Sequence, residues 1–317
     1  MNRSQSLFLL CILTGCSHSI SWDSRPITLK YLNLDDKLEE LAPVIDGWEL
    51  DLSFRHARLA LVNDEIDRDH PDIVTFIGVE VKNGSPPESD IAVLSAGELG
   101  EYEWIVSQTS RGADQAERIV AATAAALPVT IDQAKTLSVK ERWSIGNDGF
   151  AVASYLANSS SSFVILNVKM PSRIDLLQRS YELLEQAVYS ASSLYKVCIG
   201  RILVVGFLPH DSIQGSDLKF LKNIGFKDSA AGVCERIKEC STKGDENELA
   251  QSLYGNTLGQ RDERVFFHDT VAVYYSRPAF NQGSIEVAKD FPEYGFDLVH
   301  PSTRYGWESK ILLPKCE

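Results

Sequence analysis

The chain has 317 residues, is 44% hydrophobic by composition, and carries 31 basic against 44 acidic side chains, for a formal net charge of −13. That length supports one large core or two modest ones, and beyond the first residues no stretch is long and apolar enough to cross a bilayer as a helix. The acidic balance argues against a general nucleic-acid binder, whose affinity comes mostly from neutralising phosphates, but it leaves room for a local basic groove.

The first six residues carry Arg3 and no acid, and Leu7 to Leu13 ("LFLLCIL") is an apolar run too short to span. Together they read as a targeting segment. The following Leu13-Thr14-Gly15-Cys16 resembles a bacterial lipobox. That resemblance implies cleavage before Cys16 and acylation of Cys16 with three chains, each buried methylene adding about 0.8 kcal/mol of anchoring. Ser17 is similar to the residue that follows the cysteine in outer-membrane lipoproteins. It implies a lipid-anchored protein of the bacterial envelope, with its domain in the periplasm or at the surface. An ordinary cleaved signal with an incidental cysteine has the same charged and apolar regions and stands as the alternative. The division is then 1–15 signal peptide, 16–26 lipidated tether and 27–317 a single domain, since no repeat or low-complexity linker interrupts the rest.

In chain order, Pro26 to Leu34 ("PITLKYLNL") reads as a strand and Leu52 to Asp67 as a helix by its apolar periodicity. Pro71 to Val81 ("PDIVTFIGVEV") is a second strand, and 83–90 ("NGSPPESD") a loop. A short strand is expected over 102–108. Residues 118–129 are ambiguous, because alanine favours helix while the position among strands favours sheet. The segments 150–156 and 162–170 form a hairpin-like pair across "ANSSSS". Ile174 to Tyr195 is the clearest amphipathic helix. Ile202 to Val205 is a buried strand, 217–225 a short helix capped at Gly225, and 264–276 and 308–313 are strands.

Of the six cysteines, Cys11 leaves with the signal and Cys16 is the acylation candidate, so four remain in the domain. An even count in an exported chain permits disulfides. Cys234 and Cys240 are near enough in sequence to clip a loop, though not within one unbroken helix. Cys198 with Cys316 would tie the last residues to a central strand, and buried free thiols are the other reading. No Cys/His spacing suggests zinc.

The stretch "RILVVGFLPHD", Arg201 to Asp211, poses the functional question. A buried strand that opens at Gly206 into a turn is where α/β folds place reactive groups. Here the turn holds Phe207, Leu208 and Pro209. The ordered set "PDIVTFIGV", "FVILNVKMPSR", "RSYELLEQ", "ILVVG", "IGFKDS", "GNT", "VFFHDTVAVYYS" and "PSTRYGWESKI" resembles the endonuclease/exonuclease/phosphatase superfamily, over about 27–313. The resemblance implies an α/β fold, a four-layer α/β/β/α sandwich of two mixed sheets of the DNase I-like kind. It also implies a Mg²⁺-assisted attack of water on a phosphate ester, with a carboxylate on the metal, an Asp base and a pair of histidines.

Position by position, the resemblance places the metal-assisting Asn at Asn33 and a further Asn at Asn167, both present, and the late Asp at Asp269. The metal Glu falls on Gly78, after Ile77. The phosphate-binding His falls on Lys169. The Asp and Asn of the reactive turn fall on Phe207 and Pro209, and the terminal Ser-Asp-His on Ser302, Thr303 and Arg304. Glycine, phenylalanine and proline neither ligate a hard cation nor take a proton from water. The expectation is a framework kept without its chemistry: no cofactor, a non-catalytic binding or assembly protein, the bilayer as partner through Cys16 and a further protein partner. Lys169, Arg304 and Asn33 are candidates for holding an anion without cleaving it. The alternative is a relocated Mg²⁺ site using Glu80 and Asp269, aided by His210 and Asp211, in an active phosphodiesterase or phosphatase of nuclease or sphingomyelinase type. Arg58 and Arg179 are expected in framework ion pairs.

Overall fold

The protein is seen here as a computed structural model, which describes residues 23, 25–34, 48–79, 90–108, 119–126, 130–136, 150–157, 162–170, 174–209, 219–230, 247, 262–302 and 305–316. Twelve strands fall into two six-stranded sheets. The first sheet holds, in spatial order, β11 (Ala272–Ala279), β12 (Gly306–Leu312), β1 (Ile27–Asn33), β2 (Ile73–Ile77), β4 (Ile119–Ala125) and β3 (Glu103–Gln108). The second holds β5 (Thr130–Thr136), β6 (Phe150–Ala157), β7 (Ser162–Lys169), β8 (Ile202–Phe207), β10 (Glu263–His268) and β9 (Phe226–Asp228). Each is mixed: β1 pairs parallel with β2, and β7 with β8, while the remaining neighbours are antiparallel.

Side-chain alternation explains the layers. Ile27, Leu29 and Tyr31 point between the sheets, where they meet Ile165, Leu203, Val205, Val265 and Phe267 in one buried cluster. Leu32 points the other way, under helix α1 (Trp48–Asp69), where it joins Leu59, Val62 and Ile66. Leu94 of the short α2 (Asp90–Leu94) packs in that same outer cluster. Outside the second sheet lies α3 (Ile174–Tyr195), whose Tyr181, Leu184, Ala187, Val188 and Ala191 recur at helical spacing against Leu166, Val168 and Val204. Leu221 of α4 (Lys219–Asn223) completes that layer. The expected four-layer sandwich is thus the observed one. Among the described residues no helix is long and apolar enough to cross a membrane.

One open reading is settled, and three details differ from expectation. The alanine-rich segment is strand, not helix: β4 lies between β2 and β3, where both faces are covered and small side chains fit. Gly206 does not open a turn. It stays inside β8, where a Cβ would lie 1.8 Å from the Val168 carbonyl oxygen, and the strand runs on through Phe207. Residues 264–276 are two strands broken by a turn at Asp269, and β5 is a strand that sequence periodicity did not indicate.

Charges as well as hydrocarbon join α1 to the sheet. Lys30, wholly buried on β1, donates to Glu65 at 2.7 Å and to Asp69 at 2.5 Å, with Glu308 3.9 Å away. Burial alone would raise the Asp69 pKa, but the Lys30 hydrogen bond and charge, with Arg68, carry it below the usual carboxylate range. Arg58, expected in an ion pair, donates to the carbonyls of His300 and Pro301 at 3.2 and 3.0 Å. The side chain of Arg179 lies outside the described residues.

At the start of β1, Asp23 is buried. Its N–H donates to the Leu313 carbonyl at 2.8 Å, and its carboxylate accepts from Arg201 at 2.7 Å. Nearby a disulfide joins Cys198, ahead of β8, to Cys316, beyond β12, so the two sheets are linked covalently at this end. The bond closes 118 residues of chain, which restricts the unfolded state. Cys198→Ser with Cys316→Ser is expected to lower unfolding stability by about 3 kcal/mol, read as a lower urea midpoint. An unchanged midpoint would mean that the cross-link contributes nothing.

Candidate functional site

The strands β1, β2, β7 and β8 all end on the same side of the sandwich, the side where β10 begins. The register sets Asn33 beside Ile77, Lys169 beside Phe207, and Phe207 beside Glu263. Alternation turns Tyr31 and Asn33 inward from the first sheet and Glu263 inward from the second, in phase with Val265 and Phe267. They meet between the sheets. The Asn33 amide donates to Glu263 Oε1 at 2.9 Å, and the Tyr31 hydroxyl donates to Glu263 Oε2. Glu263 has no exposed surface. A carboxylate so placed costs several kcal/mol unless its oxygens are satisfied, and here each accepts a hydrogen bond.

Further contacts close the same end. The Ser302 hydroxyl donates to the Asn33 carbonyl at 2.6 Å, and the buried Asn247 amide donates to the Ser302 carbonyl at 2.9 Å. With Arg58 holding His300 and Pro301, the 300–302 segment is fixed over the end of β1. One layer deeper, the Thr75 hydroxyl donates to Asn167 Oδ1 at 2.7 Å, and the Asn167 amide reaches Thr123 at 3.3 Å. Thr123 lies 3.2 Å from Ser154, completing a polar seam buried between the sheets.

Gly78 follows β2 at φ +77°, a backbone form that glycine adopts without strain. Its carbonyl accepts from Arg55 at 3.2 Å, and Arg55 also binds the buried Asp90 at 2.8 and 2.7 Å. Phe207 is buried at the strand end, and the Pro209 carbonyl accepts from Tyr181 at 3.0 Å. Lys169 is half-buried at the end of β7. Glu80, His210, Asp211, Thr303, Arg304, Cys16, Cys234 and Cys240 lie outside the described residues.

Two expectations are corrected. Asp269 is not at this end. It sits in the turn after β10, at the opposite pole, with its side chain 46% exposed and 3.2 Å from His268. There the His268 imidazole is held below its usual pKa by burial, with Asp269 opposing the shift and Lys227 adding to it. Asp269 therefore cannot share a ligand with Asn33: β10 separates them by its full length. Asn33 is also no open anion donor, because it is buried against a carboxylate, which repels an anion. Asn167 is spent likewise, inside the polar seam.

The described residues do not fit a divalent metal. None of their His, Cys, Asp and Glu side chains gather in a group of three or more placed to hold one, whereas Mg²⁺ takes about six oxygens in near-octahedral array. Glu263 is the acid that sequence reasoning missed. Extending the β10 alternation one residue N-terminal of Arg264, from inward-facing Val265, would have turned Glu263 inward. Asn247 sits in a polar stretch and carries no such signal.

No protein family matches the chain by sequence, and no curated protein sequence does. Solved structures do match in shape. An endonuclease/exonuclease/phosphatase family protein of Bacteroides thetaiotaomicron superposes with a TM-score of 0.62 at 12% identity, over 91% of this chain and 99% of its own. A mannosyl-6-phosphatase of the same organism gives 0.61 at 12% identity, over 90% and 99%. Truncated TDP2 of Caenorhabditis elegans gives 0.59 at 13% identity, over 92% and 99%.

Removing one side of the Glu263 contact should cost more than removing both. Glu263→Leu strands the Tyr31 and Asn33 donors and is expected to destabilise the fold by at least about 2 kcal/mol in urea unfolding, while adding Tyr31→Phe and Asn33→Leu recovers much of that loss. A neutral Glu263→Leu would contradict the geometry.

Proposed function

From the endonuclease/exonuclease/phosphatase fold that this chain has, we propose a non-catalytic function: a lipid-anchored envelope protein that binds or assembles with a partner and does not hydrolyse phosphate esters. The observation that carries this reading is Glu263. It is a fully buried acid at the converging strand ends, one residue after Asp262, and its two oxygens accept from Tyr31 and Asn33. Phe207 occupies the neighbouring strand end, and Gly78 offers no side chain. Water near neutral pH needs a base or a metal to become a nucleophile, and these residues supply neither. The anchor is Cys16, and Lys169 with Arg304 remain the cations through which an anionic group of the partner is met. The partner is expected to be a protein engaged by loops outside the strand ends.

A second reading is a metal-dependent phosphodiesterase or phosphatase. It is favoured by neighbours whose names carry phosphate-ester chemistry: the mannosyl-6-phosphatase, and TDP2 of D. rerio complexed with a single-strand DNA product. Without Asp269, such a site would rest on Glu80 and Asp211.

Calorimetry and turnover separate the two. Detergent-purified full chain is expected to give no saturable heat with Mg²⁺ or Mn²⁺, and no hydrolysis of bis(p-nitrophenyl) phosphate or p-nitrophenyl phosphate above buffer. Hydrolysis that Glu80→Gln or Asp211→Asn abolishes would overturn the non-catalytic reading.

A further inference from the structure

The two poles of the sandwich differ. One carries the candidate site. The other carries Asp23, the Cys198–Cys316 bond and the turn at Asp269. Asp23 is fixed there by Arg201 and the Leu313 carbonyl, only seven residue steps from Cys16, a reach of at most about 25 Å. β1 then runs away from that pole, and its six steps carry Asn33 about 20 Å further.

Among the described residues, Val273, Tyr274 and Leu194 are exposed hydrophobic side chains on elements that begin or end at this pole. Val273 lies opposite Ile311, which in turn lies opposite Ile27 at the start of β1. Tyr274, 61% exposed, falls at the register shift between Val273 and Tyr275, so it lies on the free edge of the sheet without a partner residue on β12. Leu194 is exposed in the last turn of α3, four residues before Cys198. Lys196 and Lys315 flank the disulfide, and Arg25 lies beside the start of β2 on Asp72. Asp269 is an exposed carboxylate of this pole. An exposed aromatic on an edge strand invites aggregation unless something covers it. Tyrosine and aliphatic side chains rimmed by lysine and arginine suit the boundary between headgroups and acyl chains.

We propose that this pole rests on the lipid bilayer, with Leu194, Val273 and Tyr274 at the interface, and that the candidate site faces the aqueous compartment. The inference rests on the reading of Cys16 as the acylated residue. Its consequence is specific: whatever meets the strand ends near Lys169 arrives from solution and is not a headgroup of the membrane that holds the protein.

The test uses full-length chain from a bacterial host, reconstituted into phosphatidylcholine/phosphatidylglycerol vesicles containing bromine-labelled lipid. Intact mass reports acylation of Cys16. Tyr274→Trp places an added indole at the tethered pole. Ile285→Trp places one at an exposed position, 57% accessible, beyond the other end of β11. Bromolipid should quench the added fluorescence of Tyr274→Trp by about half, and that of Ile285→Trp by less than about a tenth, given an interfacial depth of about 5–10 Å. Acylated protein with equal or reversed quenching would overturn the orientation alone. A Cys16 without acyl groups would overturn the anchor and the orientation with it. Dimers in which a second copy shields Tyr274→Trp from bromolipid would overturn the bilayer as occupant.

Discussion

Two apolar sheet faces can slide over one another at small cost, but a carboxylate with two donors cannot. Glu263 comes from the second sheet, and Tyr31 and Asn33 from the first, so their hydrogen bonds admit one relative placement where packed hydrocarbon alone would tolerate several. Other contacts are built on that placement. With Asn33 fixed, its carbonyl can accept from Ser302, Ser302 can meet Asn247, and Arg58 can hold the preceding carbonyls. The seam of Thr75, Thr123, Ser154 and Asn167 lies one layer deeper in the same face. The end of the sandwich where strands converge is thereby a buried polar network joining the two sheets and the 300–302 segment.

This closure is the observation on which the non-catalytic proposal rests. The shape is shared with phosphatases and nucleases at TM-scores near 0.6 and identities of 11–13%. At that distance backbone layers persist while individual side chains are free to change, and function belongs to the site and not to the fold. Among the described residues at the strand ends are Gly78, the buried Phe207, Pro209 and the Glu263 carboxylate, which already accepts from Tyr31 and Asn33. The opposite pole is built differently, with a disulfide, a buried Arg201–Asp23 pair and the exposed Tyr274.

Much of the fold was legible because strands covered on both faces carry continuous apolar runs and the outer helix carries a clear helical period. β1, β2, β7 and β8 are legible as bounded apolar runs of strand length, and α3, by its helical periodicity, over its full range. β4 was not, because alanine carries little periodic contrast and its conformation is settled by the strands on either side. Gly206 looked like a turn, yet it serves the close approach of β8 to Val168 and keeps Phe207 on the strand. The site was harder. Asn33 lies at a strand end as its sequence suggests, but the acid that the resemblance offers for the site is Asp269, beside a hydrophobic strand. The structure puts that acid at the far end of β10 and brings Glu263 in its stead, a pairing across 230 residues that no local pattern encodes.

The central claim is that the Glu263 carboxylate is held by Tyr31 and Asn33 and takes no cation. Anomalous diffraction from crystals soaked in Mn²⁺ tests this directly. The account predicts no manganese peak at Glu263 and both hydrogen bonds unchanged. A peak within about 2.3 Å of either carboxylate oxygen, with Tyr31 displaced, would contradict it.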